Sequence, residues 1–222
     1  MNEDIEIVPA ILKTTYEAIA EDWQKVTQSA DHIHIDITDG IFAGNESFMD
    51  IPRLADLSDS HKIELHMMVQ TPAEYVEDII ELNPGRCIFH LETFLGTMDL
   101  PFVYNTVGEY TSAEMGIAIN PDTELDRLTE YLPLVQYVLF MGYNPGFAGQ
   151  DINPEIFKKI TDFHAINPVI KIAVDGHVNK ETIEHYAQSG ASIFCANSAI
   201  FKGGNPEENI KQLTLLAKST AS

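Results

Sequence analysis

The sequence predicts an α/β fold, a (β/α)8 TIM barrel that fills residues 1–222 as one domain. Three observations carry that prediction. Short apolar, β-branched runs recur eight times, stretches of helical spacing with a polar face lie between them, and no Ser/Gly-rich linker or low-complexity tract interrupts the series. Eight uninterrupted alternations fit a closed barrel better than an open doubly wound sheet.

The eight strand runs are IEIVPAIL (5–12), HIHIDI (32–37), KIELHMMV (62–69), RCIFHL (86–91), MGIAI (115–119), VQYVLFM (135–141), VIKIAV (169–174) and ASIFCA (191–196). Amphipathic segments expected as helices include 72–82, 122–132, 153–166 and 179–190. Several open with Asp, Thr or Asn near the first turn or with Pro at a first helical position, as helix starts prefer.

Hydrophobic residues make up 45% of the chain and charged ones 21%, a balance that supports a packed core rather than disorder. The formal charge of −21 leaves no basic patch for nucleic acid or an anionic membrane surface, so neither is expected as a partner. A small anion remains compatible, because backbone N–H groups in a glycine loop or at a helix start can hold phosphate. Cys87 and Cys195 both lie in apolar runs and read as buried free thiols of a reducing compartment. The acidic start MNEDIEIVPA lacks a signal peptide's basic and apolar regions, and no apolar run nears the ~20 residues of a membrane span, so a cytoplasmic location is expected.

In a barrel, strand residues alternate between interior and helix layer, and chemistry gathers at the C-terminal strand ends. With Ile33, Ile35 and Ile37 facing the helices, His34, Asp36 and Thr38 face inward. Ile63, Leu65 and Met67 likewise leave His66 and Met68 inward, and Ile170, Ile172 and Val174 leave Asp175 inward at the end of its strand. Two imidazoles and two carboxylates on three strands form a mixed N/O set for a divalent cation. Zn²⁺ suits it, and the ligand types also admit Fe²⁺, Mn²⁺ or Co²⁺.

After the sixth strand, YNPGFAGQ (143–150) reads as a lid or phosphate cradle, since Gly146 and Gly149 let backbone approach a ligand closely. DGH (175–177) and ANS (196–198) follow strands seven and eight, where such barrels often hold phosphate. His90, His164 and His185 read as packing or surface residues, and Met67 and Met98 as core fillers.

Taken together, HIDITDGIFAGN (34–45), ELHMMV (64–69), FHLET (89–93), GIAINPDT (116–123), MGYNPGFAGQ (141–150), VDGHVN (174–179) and NSAIF (197–201) resemble, in order and spacing over nearly the whole chain, the ribulose-phosphate 3-epimerase family. The resemblance implies metal-dependent epimerisation at C3 of a ketose phosphate, such as D-ribulose 5-phosphate, D-xylulose 5-phosphate or a related pentulose or hexulose phosphate. It implies metal ligation by His34, Asp36, His66 and Asp175, with Asp36 and Asp175 moving the proton on opposite faces of the sugar through an enediolate. It further implies that His66, Met68 and Met141 contact substrate, that Gly146, Phe147, Ala148, Gly149, Gly176, His177, Asn197 and Ser198 surround the phosphate, and that the protein is a homo-oligomer, dimer or hexamer.

The chain departs from the family pattern at Ala10 (a serine that contacts substrate), Thr38 (methionine), His177 and Asn197 (glycines), and at Ile41, Ala43 and Gly44. The ligand set is kept while the shell around it differs. Two rival readings follow: a non-catalytic sugar-phosphate or metal-binding barrel, and a phosphosugar lyase or decarboxylase using a lysine. For the second, Lys171 is on the inward side of strand seven but four residues below Asp175.

Overall fold

The computed structural model describes residues 5–96, 99–145 and 152–220. Eight parallel strands, β1 (Glu6–Ile11), β2 (Ile33–Thr38), β3 (Ile63–Met68), β4 (Arg86–His90), β5 (Glu114–Ile119), β6 (Tyr137–Met141), β7 (Lys171–Asp175) and β8 (Ile193–Ala196), pair in chain order. β1 pairs with β8 and closes the barrel, so the sheet has no edge strand. The strand ends fall within two residues of the sequence runs, and Asp175 is the last residue of β7 rather than the first beyond it.

The period-two alternation separates two apolar clusters. Ile33, Ile35, Ile37, Ile63, Leu65, Met67, Ile172 and Val174 join the layer between sheet and helices. Val8, Ala10, Ile88, Ala118, Leu139, Ala173 and Ile193 fill the inside with Tyr137, Met141 and Cys195. Both cysteines are free and buried. Gly116 makes room in that interior, because a Cβ there would lie 2.5 Å from the Tyr137 ring.

Helices α1 (Tyr16–Val26), α2 (Val76–Leu82), α3 (Asp99–Tyr110), α4 (Glu155–Ile166), α5 (Ile183–Gln188), α6 (Ser198–Phe201) and α7 (Pro206–Thr220) form the outer layer. α1 starts where the Thr15 hydroxyl accepts the Ala18 N–H, and it buries Ile19, Trp23 and Val26 at i, i+4, i+7 spacing. α4 repeats the spacing with Ile156, Ile160 and Phe163. No described helix is long and apolar enough to cross a membrane.

The helix expected over 122–132 does not form; two short 3-10 turns, Leu125–Leu128 and Leu132–Leu134, stand there. Its start is pulled out of helical geometry. The Asn120 N–H and Thr123 hydroxyl are both held by Glu92, Lys159 draws in the carbonyls of Asn120, Pro121 and Thr123, and Glu124 is extended at φ −67°, ψ 142°. The 72–82 segment opens as a 3-10 turn, Pro72–Tyr75, before becoming α2. Of 179–190, only Ile183–Gln188 is α-helical.

Low in the barrel the interior is ionic. Arg86, 3% exposed, reaches Glu6 at 2.9 Å, Glu64 at 3.2 Å and Glu114 at 3.0 Å, and lies 5.5 Å from the centre of the Tyr137 ring. Glu64 is fully buried, so its charge depends on that guanidinium. Arg86→Met should therefore destabilise the fold by about 3–5 kcal/mol. Glu114→Gln, at a side chain 45% exposed, should cost less than ~1 kcal/mol. Urea denaturation of the two variants checks this, and equal losses would contradict a buried-charge role for Arg86.

Candidate active site

The registers of the second and third strands set Asp36 beside His66 and His34 beside Glu64. Because side chains two apart point the same way, one inward column on each strand carries a carboxylate and an imidazole. Asp36 Oδ1 lies 3.1 Å from His34 Nε2 and 2.9 Å from His66 Nδ1, and the two ring nitrogens are 3.1 Å apart. β7 brings Asp175 Oδ2 to 3.9 Å from the same His66 nitrogen. His34 and His66 are fully buried, and the Asp36 and Asp175 side chains are 11% and 16% exposed.

Each of these four residues offers a ligand atom within 4.8 Å of the others. The donor set fits a cation: two imidazole nitrogens and a carboxylate oxygen meet at one desolvated spot, where either protons or a metal ion can lie between them.

Burial opposes charge on Asp36, but His34 and His66 against it hold its carboxyl well below the usual range. Burial would also lower His34, yet Cys195 and Asp36 beside it keep its proton affinity well above that of a free histidine. His66 is pushed down to about 4 by burial and by its histidine neighbours, with the Asp36 hydrogen bond opposing. Asp175 is pushed up to about 7, first by burial and then by the Asp36 carboxylate. The protein's own groups thus give one carboxylate that stays ionised and one that keeps a proton, the pattern of an acid and base pair.

Asp36 and Asp175 open onto a cavity of about 360 Å³ lined also by Ala10, Tyr143, Gly176, His177, Asn197, Ser198 and Lys202. Met68 and Met141 are buried inward beside Thr38 and Asp175 in register. Gly176, at φ 111°, allows close packing of the β6 and β7 ends, and His177 is left-handed at φ 53° with its ring edge-on to Tyr143. The added side chain of Asn197 turns to β1, where its amide donates to the Ala10 carbonyl at 2.7 Å. Gly146, Phe147, Ala148 and Gly149, and Met98, lie outside the described residues.

Lys171 is exposed at the start of β7 and lines a recess of about 530 Å³ at the opposite mouth with Glu6 and His32, remote from Asp175. His164 and His185 keep their packing roles, against Gly190 and Phe157.

Sequence reasoning missed the polar neighbours of the ligand set. His90 is no packing residue alone: it is fully buried, its Nε2 lies 2.9 Å from His66 Nε2, and its Nδ1 lies 3.2 Å from Glu92. Glu64 meets His34 Nδ1 at 2.6 Å. Alternation was the available signal, since Glu64 stands two residues before His66 and His90 two after the inward Ile88.

A family model described as "Ribulose-phosphate 3 epimerase family" matches residues 6–201. The chain is 30% identical over 220 residues to "Ribulose-phosphate 3-epimerase" of Eremothecium gossypii, covering 93% of this chain and 90% of that protein. It is 29% identical over 221 residues to the protein of that name from Synechocystis sp., covering 95% and 93%. Among solved structures it resembles KGPDC from Streptococcus mutans, with a TM-score of 0.77 at 10% identity over 99% of this chain and 100% of that one. It also resembles a 3-hexulose-6-phosphate synthase, with a TM-score of 0.68 at 15% identity over 96% and 99%. Identities that low establish the barrel and nothing of its chemistry.

A carboxyl raised to about 7 takes up a proton on folding, so its contribution is present below pH ~4 and is lost as pH rises toward 7. Chelator-treated Asp175→Asn should therefore gain on the chelator-treated parent across that window, by on the order of 4 kcal/mol at pH 8. Denaturation at pH 4 and pH 8 measures it; a gap independent of pH would contradict the raised affinity.

Proposed function

We infer that this chain, which belongs to the ribulose-phosphate 3-epimerase family, is a carbohydrate isomerase that inverts C3 of a ketose phosphate by proton transfer between Asp36 and Asp175. The observation that carries this reading is that two carboxylates of opposed proton affinity, on β2 and β7, face one cavity. Epimerisation needs a group on each face of the carbon, one to take the proton and one to return it.

Asp36, ionised, would abstract the C3 proton, and Asp175 would deliver its own to the other face of the enediolate; the roles exchange in the reverse direction. His34, Asp36, His66 and Asp175 would hold a divalent cation, for which the N/O donor set suits Zn²⁺ and admits Fe²⁺, Mn²⁺ or Co²⁺. When bound, such an ion supplies Lewis-acid stabilisation of the negative charge that develops on the sugar. His177 and Lys202 are the cavity's candidates for the phosphate end, with backbone near Gly176 and Ser198. D-ribulose 5-phosphate and D-xylulose 5-phosphate are the first substrates to try, followed by related pentulose and hexulose phosphates.

The lyase reading named Lys171, which opens at the other mouth; of the lysines that line the cavity, Lys13 is paired with Asp22 at 2.9 Å and Lys202 is assigned here to the phosphate end. A binding-only barrel has no use for opposed acid and base groups. Asp36→Asn or Asp175→Asn should each lower exchange of the substrate C3 proton with solvent by a factor of about 10² to 10⁴, read by proton NMR in deuterated water. Near-normal exchange in both variants would refute the assignment.

A further inference from the structure

We propose that two buried carboxylates outside the ligand set decide which nitrogen each ligand imidazole presents to the cation: Glu64 acts directly on His34, and Glu92 acts through His90 on His66. The proposal rests on the reading that these histidines hold a cation. It concerns positioning residues, not groups that touch substrate.

An ionised carboxylate only accepts hydrogen bonds. Glu64 Oε1 lies 2.6 Å from His34 Nδ1, and Arg86 and the Tyr137 hydroxyl meet Glu64 at its other oxygen. The proton between them therefore sits on Nδ1 and donates to Glu64. That leaves Nε2 as His34's metal-facing nitrogen, and it is the one 3.1 Å from Asp36 and from His66.

His66 must use its other nitrogen, and a longer chain enforces it. Its Nδ1 faces Asp36 and His34, while its Nε2 faces His90 Nε2 at 2.9 Å. Two ring nitrogens at that distance require one donor and one acceptor. Glu92 takes the proton of His90 Nδ1 at 3.2 Å, so His90 Nε2 accepts and His66 Nε2 donates. With a cation rather than a proton between His66 Nδ1 and Asp36, that nitrogen presents its lone pair.

Glu92 cannot easily turn away. Its Oε1 accepts the Asn120 N–H at 2.8 Å and the Thr123 hydroxyl, and Lys159 of α4 pins the same segment by donating to the carbonyls of Asn120, Pro121 and Thr123. The ring of Phe42, 4.8 Å from that of His90, closes the remaining side. The two chains work in opposite senses, Nε2 for His34 and Nδ1 for His66, which is how two rings on adjacent strands aim at one point.

Glu92→Gln tests the relay without changing its size. The oxygen of the new amide would stay with Asn120 and Thr123, so its NH₂ would face His90 Nδ1 and reverse every bond up to His66. Imidazole ¹⁵N NMR on the Zn²⁺-loaded protein should show His34 protonated at Nδ1 and His66 at Nε2 in the parent. The variant should lose that His66 pattern and show a Zn²⁺ affinity, measured by competition with a chromophoric chelator, weaker by about 10- to 100-fold.

Parent His66 protonated at Nδ1, or a variant with unchanged pattern and affinity, would overturn the proposal. The parent spectrum alone decides the first point should the variant fail to fold. A parent that binds no Zn²⁺ would instead overturn the cation reading, and the role assigned to the relay with it.

Discussion

The contact on which the rest depends is the meeting of Asp36 Oδ1, His34 Nε2 and His66 Nδ1 at 2.9–3.1 Å inside a closed barrel. Three such polar atoms can be desolvated together only with protons or a cation between them. The parallel register of β2 and β3 forces the meeting, and Asp175 arrives from β7 at the same rim. The low proton affinity of Asp36, the high one of Asp175 and the ionic floor beneath them all respond to that concentration of charge.

The floor is an unusual filling for a barrel. Where layers of branched apolar side chains commonly stack, this interior holds Glu6, Glu64, Arg86 and Tyr137 together with small residues such as Ala10, Ala118 and Ala173. Replacing apolar packing by a guanidinium and its carboxylates gains little net stability. It does supply Glu64 with a fixed charge directly under His34, which apolar packing cannot do.

Much of this was legible in the sequence, because a strand's period of two is a strict geometric rule. Once Ile33, Ile35 and Ile37 are assigned to the helix layer, His34 and Asp36 have nowhere to point but inward, and the same logic fixes His66. What the rule does not say is which inward polar groups touch each other. His90 was read as packing because its partners, His66 and Glu92, are chosen by the radial position of a ring, not by spacing along the chain. The missing helix after β5 fails for a related reason: DTELDRLTEYL has helical spacing, but Glu92 and Lys159, distant in sequence, fix the backbone before it. The side chain of Asn197, where the family pattern has a glycine, is held by a carbonyl on the first strand.

The excess of acid also shapes traffic to the barrel mouth. With a formal charge of −21, the protein's far field draws divalent cations toward the rim and pushes phosphorylated sugars away. Added salt shortens the reach of both forces. Rising ionic strength therefore slows the capture of a cation and quickens the encounter with a phosphate ester, opposite trends set by one surface.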